Sequence, residues 1–135
     1  MRTLALLAVL LSGLASPLCA ADDVVAAQRI ILSQVEAFGR DDAATAYSYA
    51  APGIREIFPQ ADIFLGMVRH SYAPVYRHKS FEFGEARASG GKIAQQVHIV
   101  DSNGVPWEAL YTLEPEPDGS LKISGCVLIK TGQGA

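Results

Sequence analysis

Residues 92–114, "KIAQQVHIVDSNGVPWEALYTLE", hold two runs in which apolar and polar side chains alternate, separated by Asp-Ser-Asn-Gly. Alternation with a period of two is the signature of a strand with one buried face, and two such runs around an Asn-Gly turn read as a hairpin. Two turn geometries compete. A three-residue Ser102-Asn103-Gly104 loop with a left-handed glycine pairs Asp101 with Val105. It sets Ile99 beside Trp107, Val97 beside Ala109, Gln95 beside Tyr111 and Ile93 beside Leu113. A two-residue Asn-Gly turn instead places His98 beside Ala109 and mixes polar with apolar on both faces, so the first register is preferred.

Two further runs extend this hairpin. "VYRHKSFEFGEARA" (75–88) precedes it across "SGG", and "LKISGCVLIK" (121–130) follows it across "EPEPDGS". Four short strands joined by turns predict an antiparallel meander. Before Pro74 the period is helical. "DDVVAAQRIILSQVEAFGR" (22–40) places apolar residues at 24, 27, 31, 35 and 38, with Asp22 or Asp23 as cap and Gly39 as stop. Asp41 is expected to cap a second helix through "DAATAYSYAA", ended by Pro52. "GIREIF" adds a turn or two. "ADIFLGMVRHSY" repeats the helical spacing at Ile63, Phe64, Met67, Val68 and Ser71 until Pro74. Helices followed by strands define an α+β fold: N-terminal helices packed on a curved four-stranded antiparallel sheet.

The first twenty residues, "MRTLALLAVLLSGLASPLCA", combine one early positive charge, an apolar run and a small-residue end. That layout predicts a secretory leader over residues 1–21, cut after Ala20 or Ala21, and a single domain over 22–135 in the periplasm or outside the cell. The apolar run is too short for a spanning helix, so no membrane association is expected after cleavage. Without Arg2 the chain carries ten basic and fourteen acidic residues and no basic run, which argues against nucleic acid as a partner. Cys126 is then the lone cysteine, which excludes an internal disulfide. No histidine or cysteine recurs at ligand spacing, so neither a metal nor a cofactor is expected.

The strand register assigns faces. Placing Leu113 opposite Leu121 pairs Tyr111 with Ile123, Ala109 with Gly125 and Trp107 with Val127. The inner face then carries Phe81, Phe83, Ile93, Val97, Ile99, Leu113 and Ile129, with Glu85, Gln95 and Tyr111 as a polar row. Ala109 beside Gly125 leaves a deficit of side-chain volume. An apolar concavity with a few polar groups is the usual form of a small-molecule pocket, which makes Gln95, Trp107, Ala109, Tyr111 and Gly125 the candidate ligand-binding residues. Were the site catalytic, as in a lyase or isomerase with a carboxylate base, Glu85 would be the base and Tyr111 the donor to a developing oxyanion. On the outer face the same register lines up His98, Glu108 and Cys126. This row is expected to be a structural thiol beside an ion pair, because a flat sheet supplies no helix N-terminus to lower a thiol pKa. The mixed outer face is expected to meet a second copy of the chain.

Three stretches carry a resemblance: "SYAPVYR" (71–77), the strand pair "VHIVDSNGVPWEALYTLE" (97–114), and the ending "DGSLKISGCVLI" (118–129). With them the mature chain resembles the family DUF4864 of small exported bacterial proteins, whose members commonly have tryptophan where this chain has Leu121. The ending also resembles nuclear-transport-factor-2-like and ketosteroid-isomerase-like domains. That likeness implies a sheet wrapped around helices into a cone with an internal cavity, frequently dimerising through its outer face. It brings no catalytic residue to this chain and no assigned chemistry, so the reading is a non-catalytic module for a small apolar ligand or a protein partner.

Overall fold

The structure, a computed structural model, describes residues 17–132. Most of the expected leader therefore lies outside the described residues. The helices are α1 (Pro17–Gly39), α2 (Ala43–Ser48), α3 (Pro52–Ile57), α4 (Ala61–Ser71) and α5 (Ala73–Tyr76). The strands are β1 (His78–Ser89), β2 (Lys92–Asp101), β3 (Pro106–Pro115) and β4 (Leu121–Lys130), forming one antiparallel sheet in the order β1-β2-β3-β4. Helices block, strands block: the fold is α+β.

The β2–β3 hairpin has the expected register, from Ile93 opposite Leu113 to Ile99 opposite Trp107. Gly104 takes φ +81°. The Asp101 carboxylate accepts from the amides of Asn103 (2.9 Å) and Val105 (2.8 Å) and from Trp107 Nε1 (3.0 Å). These donors, led by the Val105 amide and then the Trp107 indole, hold the Asp101 carboxyl below its ordinary range. The Gly90-Gly91 turn between Ser89 and Lys92 has φ +60° and +80°, the left-handed pair that a two-residue hairpin demands.

The helices depart from expectation at their ends. α1 begins at Pro17 instead of an Asp22 or Asp23 cap, because "PLCAA" is good helix-forming sequence and proline suits a first turn. The cap of α2 is Asp42, which accepts from the Thr45 amide at 3.1 Å; Asp41 adopts φ +55° in the preceding turn. Pro74 does not start a strand. It sits in the first turn of α5, and β1 begins only at His78.

This part of "SYAPVYR" ties the end of α1 to the sheet. Arg77 Nη1 donates to the Phe38 carbonyl at 3.0 Å, and its guanidinium lies 3.9 Å from the Tyr76 ring centroid. The Tyr76 hydroxyl donates to Asp41, which also pairs with Arg69 and Arg77.

The core joins one stripe of α1 (Ala27, Ile31, Val35, Phe38) and one of α4 (Phe64, Leu65, Val68) to the inner face of the sheet (Ile93, Val97, Ile99, Tyr111, Leu113, Ile123). Ile63, expected on the buried stripe of α4, is about half exposed, and Leu65 takes its place.

Two bulges correct the face assignment. Between Phe83 and Ala86, β1 carries an extra residue, so Ala86 lies opposite Gln95 and Glu85 is exposed beside Gln96 and Arg87. Between Ile123 and Gly125, β4 carries another. The β3–β4 pairing itself also starts two residues off the expected one, with Leu113 opposite Ile123 and Pro115 opposite Leu121. With the bulge added, Tyr111 is opposite Cys126, Ala109 opposite Leu128 and Trp107 opposite Lys130. Beyond the second bulge every side chain turns over, since strand sidedness has period two. Val127 and Ile129, expected inside, are 58% and 59% exposed. Cys126 and Leu128, expected outside, pack on the core.

Gln95 holds the first bulge in place. It is fully buried, and its amide nitrogen donates to the carbonyls of Gly84 (3.2 Å), Glu85 (3.3 Å) and Gln96 (2.7 Å). Its oxygen accepts from Gln28 Nε2 of α1 at 3.0 Å. Replacing Gln95 by methionine keeps the volume and strands these partners. The variant is expected to lose about 1–3 kcal/mol of stability in urea unfolding, the cost of unsatisfied buried polar groups.

Candidate functional site

An apolar cavity of about 330 Å³ lies between the helices and the β3–β4 half of the sheet. Phe38 of α1, Phe58 after α3, and Phe64, Met67 and Val68 of α4 supply one wall. Tyr111, Ile123, Gly125 and Cys126 supply the other, and Tyr72 and Val75 close one side. The lining residues include no Asp, Glu, Lys, Arg or His.

Local sequence explains how these groups are held. The chain at 49–51, which links α2 to α3, pairs in parallel with β4: Ile123 N donates to Tyr49 O and Ala51 N to Ile123 O, each at 2.8 Å. This covers part of the β4 edge and places α3 over the cavity. Arg55 fixes the same connector from α3, donating to the carbonyls of Ala50 (3.2 Å) and Tyr47 (3.1 Å) with its guanidinium over the Tyr47 ring. The Tyr47 hydroxyl donates to Phe58 O at 2.6 Å. Farther along β4, the Tyr72 hydroxyl donates to Cys126 O at 2.9 Å.

Of the ligand-binding candidates, Tyr111 and Gly125 line the cavity. Gln95 is spent on the β1 bulge. Trp107 is half-buried with its indole N–H on Asp101, and Ala109 is buried beneath the sheet opposite Leu128. None of these three lines the cavity. The anticipated volume deficit of Ala109 beside Gly125 does not form, because Leu113 pairs with Ile123 instead of Leu121 and the β4 bulge adds one more residue, which puts Gly125 opposite Thr112. A Cβ on Gly125 would meet Thr112 Oγ1 at 2.9 Å. The row Glu85–Gln95–Tyr111 does not form either. Glu85 is on the other face, and no carboxylate lines the cavity to act as the base of a proton transfer. Among the described residues no group of three metal-ligating side chains gathers, and no helix is long and apolar enough to cross a membrane.

The outer row of His98, Glu108 and Cys126 is broken in the same way. His98 Nδ1 and Glu108 Oε1 are 3.3 Å apart, but Glu108 lies opposite Ile129 while Cys126 faces the cavity. Burial pushes the Cys126 thiol up to about 12. It is a neutral, unactivated thiol at physiological pH. Tyr111 is also pushed well above the ordinary tyrosine range, chiefly by burial and next by the neighbouring Cys126. Its hydroxyl has no nitrogen or oxygen partner within hydrogen-bond geometry, the one buried side-chain N or O atom in that condition among the described residues, and has the Cys126 thiol as its polar neighbour.

Sequence reasoning missed Tyr72, Met67, Phe58 and Cys126 as cavity residues. The signal for Cys126 was Gly125 itself, since an isolated glycine within a strand marks a bulge.

The fold and cavity define a small α+β protein with an apolar site between its helices and sheet. The family described as "Domain of unknown function (DUF4864)" matches residues 20–134, and the chain belongs to that family. No curated protein and no solved structure matches it.

The raised thiol predicts a pH dependence. A folded-state pKa above the unfolded value means that the folded chain holds this proton more tightly. Its contribution to stability is thus present below the unfolded value of 9.0 and is lost as pH rises towards about 12. Cys126→Ala is expected to lose less stability than the wild type between those limits, measured by urea midpoints across an alkaline pH series. Tyr111 adds an alkaline loss of its own, reduced in the variant because Cys126 is the second cause of its shift, so both contributions act in the same direction.

Proposed function

We propose that the protein is an exported, non-catalytic module that holds a small, mainly apolar molecule between its helices and the β3–β4 half of the sheet. The observation that carries this reading is the cavity: about 330 Å³, aromatic and aliphatic in lining, with a few polar groups. Sites for small ligands are concave, apolar and sparsely polar, and their volumes begin at about 300 Å³. The amino-terminal leader pattern supports export to the periplasm or beyond. A catalytic alternative, a lyase or isomerase, needs a base at the cavity. Glu85 stands on the opposite face of the sheet, so the binding reading is the better supported.

The same reading gives the outer face to a second copy of the chain. Leu110, Val127 and Ile129 are each close to half exposed or more, on a face that also carries acidic (Glu85, Glu108) and basic (Arg87) side chains. A two-fold arrangement can set those opposite charges against one another.

Native mass spectrometry of the protein, recovered gently from the cells that make it, tests both points. The expected result is a dimer with an added non-covalent mass that disappears on denaturation. Met67→Trp should place a large ring in the cavity, and its spectrum should lack that mass. A wild-type protein that is bare, and that takes up no small apolar probe, overturns the binding reading. A monomer at micromolar concentration overturns the assignment of the outer face.

A further inference from the structure

The walls of the cavity restrict the chemistry of its occupant. Their residues carry no formal charge. A carboxylate or ammonium entering this space would leave water without a counter-ion, an unfavourable exchange in an apolar interior. The part of an occupant that enters the cavity is therefore best uncharged.

The polar groups differ in how far they are already committed. Gln34 Nε2 donates to Ala46 O at 3.1 Å, and the Tyr72 hydroxyl gives its proton to Cys126 O. Tyr111 is different. Its ring is fixed in the core, 6.4 Å from the Phe81 ring in an edge-on arrangement, while its hydroxyl has no nitrogen or oxygen partner and only the Cys126 thiol beside it. A buried phenol donor without an acceptor is costly, and an acceptor that reaches it regains a hydrogen bond. Cys126 beside it is a weak donor and weak acceptor, a poor substitute for an oxygen.

We infer that the cavity takes an uncharged, mainly apolar molecule bearing one acceptor oxygen, of ketone, ester or ether type, which receives a hydrogen bond from the Tyr111 hydroxyl. This rests on the binding reading given above. The hydroxyl exposes less than 1 Å² of surface, so seating the oxygen requires a small movement of the wall. Tyr111 positions the molecule; no bond is made or broken.

The test is isothermal titration calorimetry of the full folded protein with three probes of one shape: propionylnaphthalene, propylnaphthalene and naphthoate. The ketone is expected to bind about threefold to tenfold more tightly than the hydrocarbon, the range of one net hydrogen bond, and naphthoate to give no binding heat. Tyr111→Phe should abolish the advantage of the ketone while leaving the hydrocarbon unchanged within about twofold. Equal affinities for ketone and hydrocarbon, or tighter binding of naphthoate, overturn this inference and leave the cavity reading standing. Failure of all three probes to bind overturns both. The comparison among probes on the wild-type protein decides the matter even if the Tyr111 variant does not fold.

Discussion

One extra residue in β4, at Ser124–Gly125, controls which side chains the sheet offers to the helices. Before it, Leu121 and Ile123 face the core; after it, Cys126 and Leu128 do so, and Val127 and Ile129 face outward. Without the bulge the core would receive Val127 and Ile129, and the thiol would join His98 and Glu108 on the surface. With it, the small Cys126 side chain and the backbone of Gly125 stand opposite α4, next to Tyr111, where the cavity is found. The bulge also suits its residues. Gly125 has no Cβ to strike Thr112, and Ser124 Oγ donates to Thr112 O at 3.1 Å.

The bulge in β1 works with it. Gly84 admits the His98 imidazole and Gln96 amide, which a Cβ would meet at 2.7 and 3.0 Å, and Gln95 binds the displaced carbonyls. Glu85 is thereby carried away from the core, and the interior receives no carboxylate from β1. The helical layer is held to this sheet by the connector at Ala50, by Tyr72 on Cys126 O, and by Arg77 on the last turn of α1. These contacts give structural roles to most of "SYAPVYR": a tyrosine that braces β4, a buried Pro-Val pair, and an arginine stacked on the second tyrosine.

Much of this was legible in the amino-acid sequence, and the failures share a cause. Period-two alternation between Ile93 and Leu113, with one Asp-Ser-Asn-Gly turn, sufficed for the central hairpin because a register error there would put polar residues inside. The ends of the sheet lacked that check. In "FEFGEA" and "ISGCVL" the alternation continues across a glycine as though nothing happened, and only the neighbouring strand shows that a residue has been inserted. The two glycines were the available warning. Tyr111 and Gly125 were found as cavity residues, Tyr111 through a sound β2–β3 register and Gly125 through a β3–β4 pairing that a two-residue register shift and the bulge together replace. Tyr72, Met67 and Phe58 were not found, since helical spacing shows that a residue faces inward but not which part of the sheet it meets.

The most direct test of the inverted β4 is thiol labelling in a Cys19→Ala, Cys126→Ala background, with single cysteines placed at Val127, Leu128 and Ile129. In the folded protein the structure predicts fast alkylation at 127 and 129 and protection at 128. Fast alkylation at 128, with 127 and 129 protected, would contradict the bulge, and with it the placement of Cys126 and Tyr111 about a common cavity.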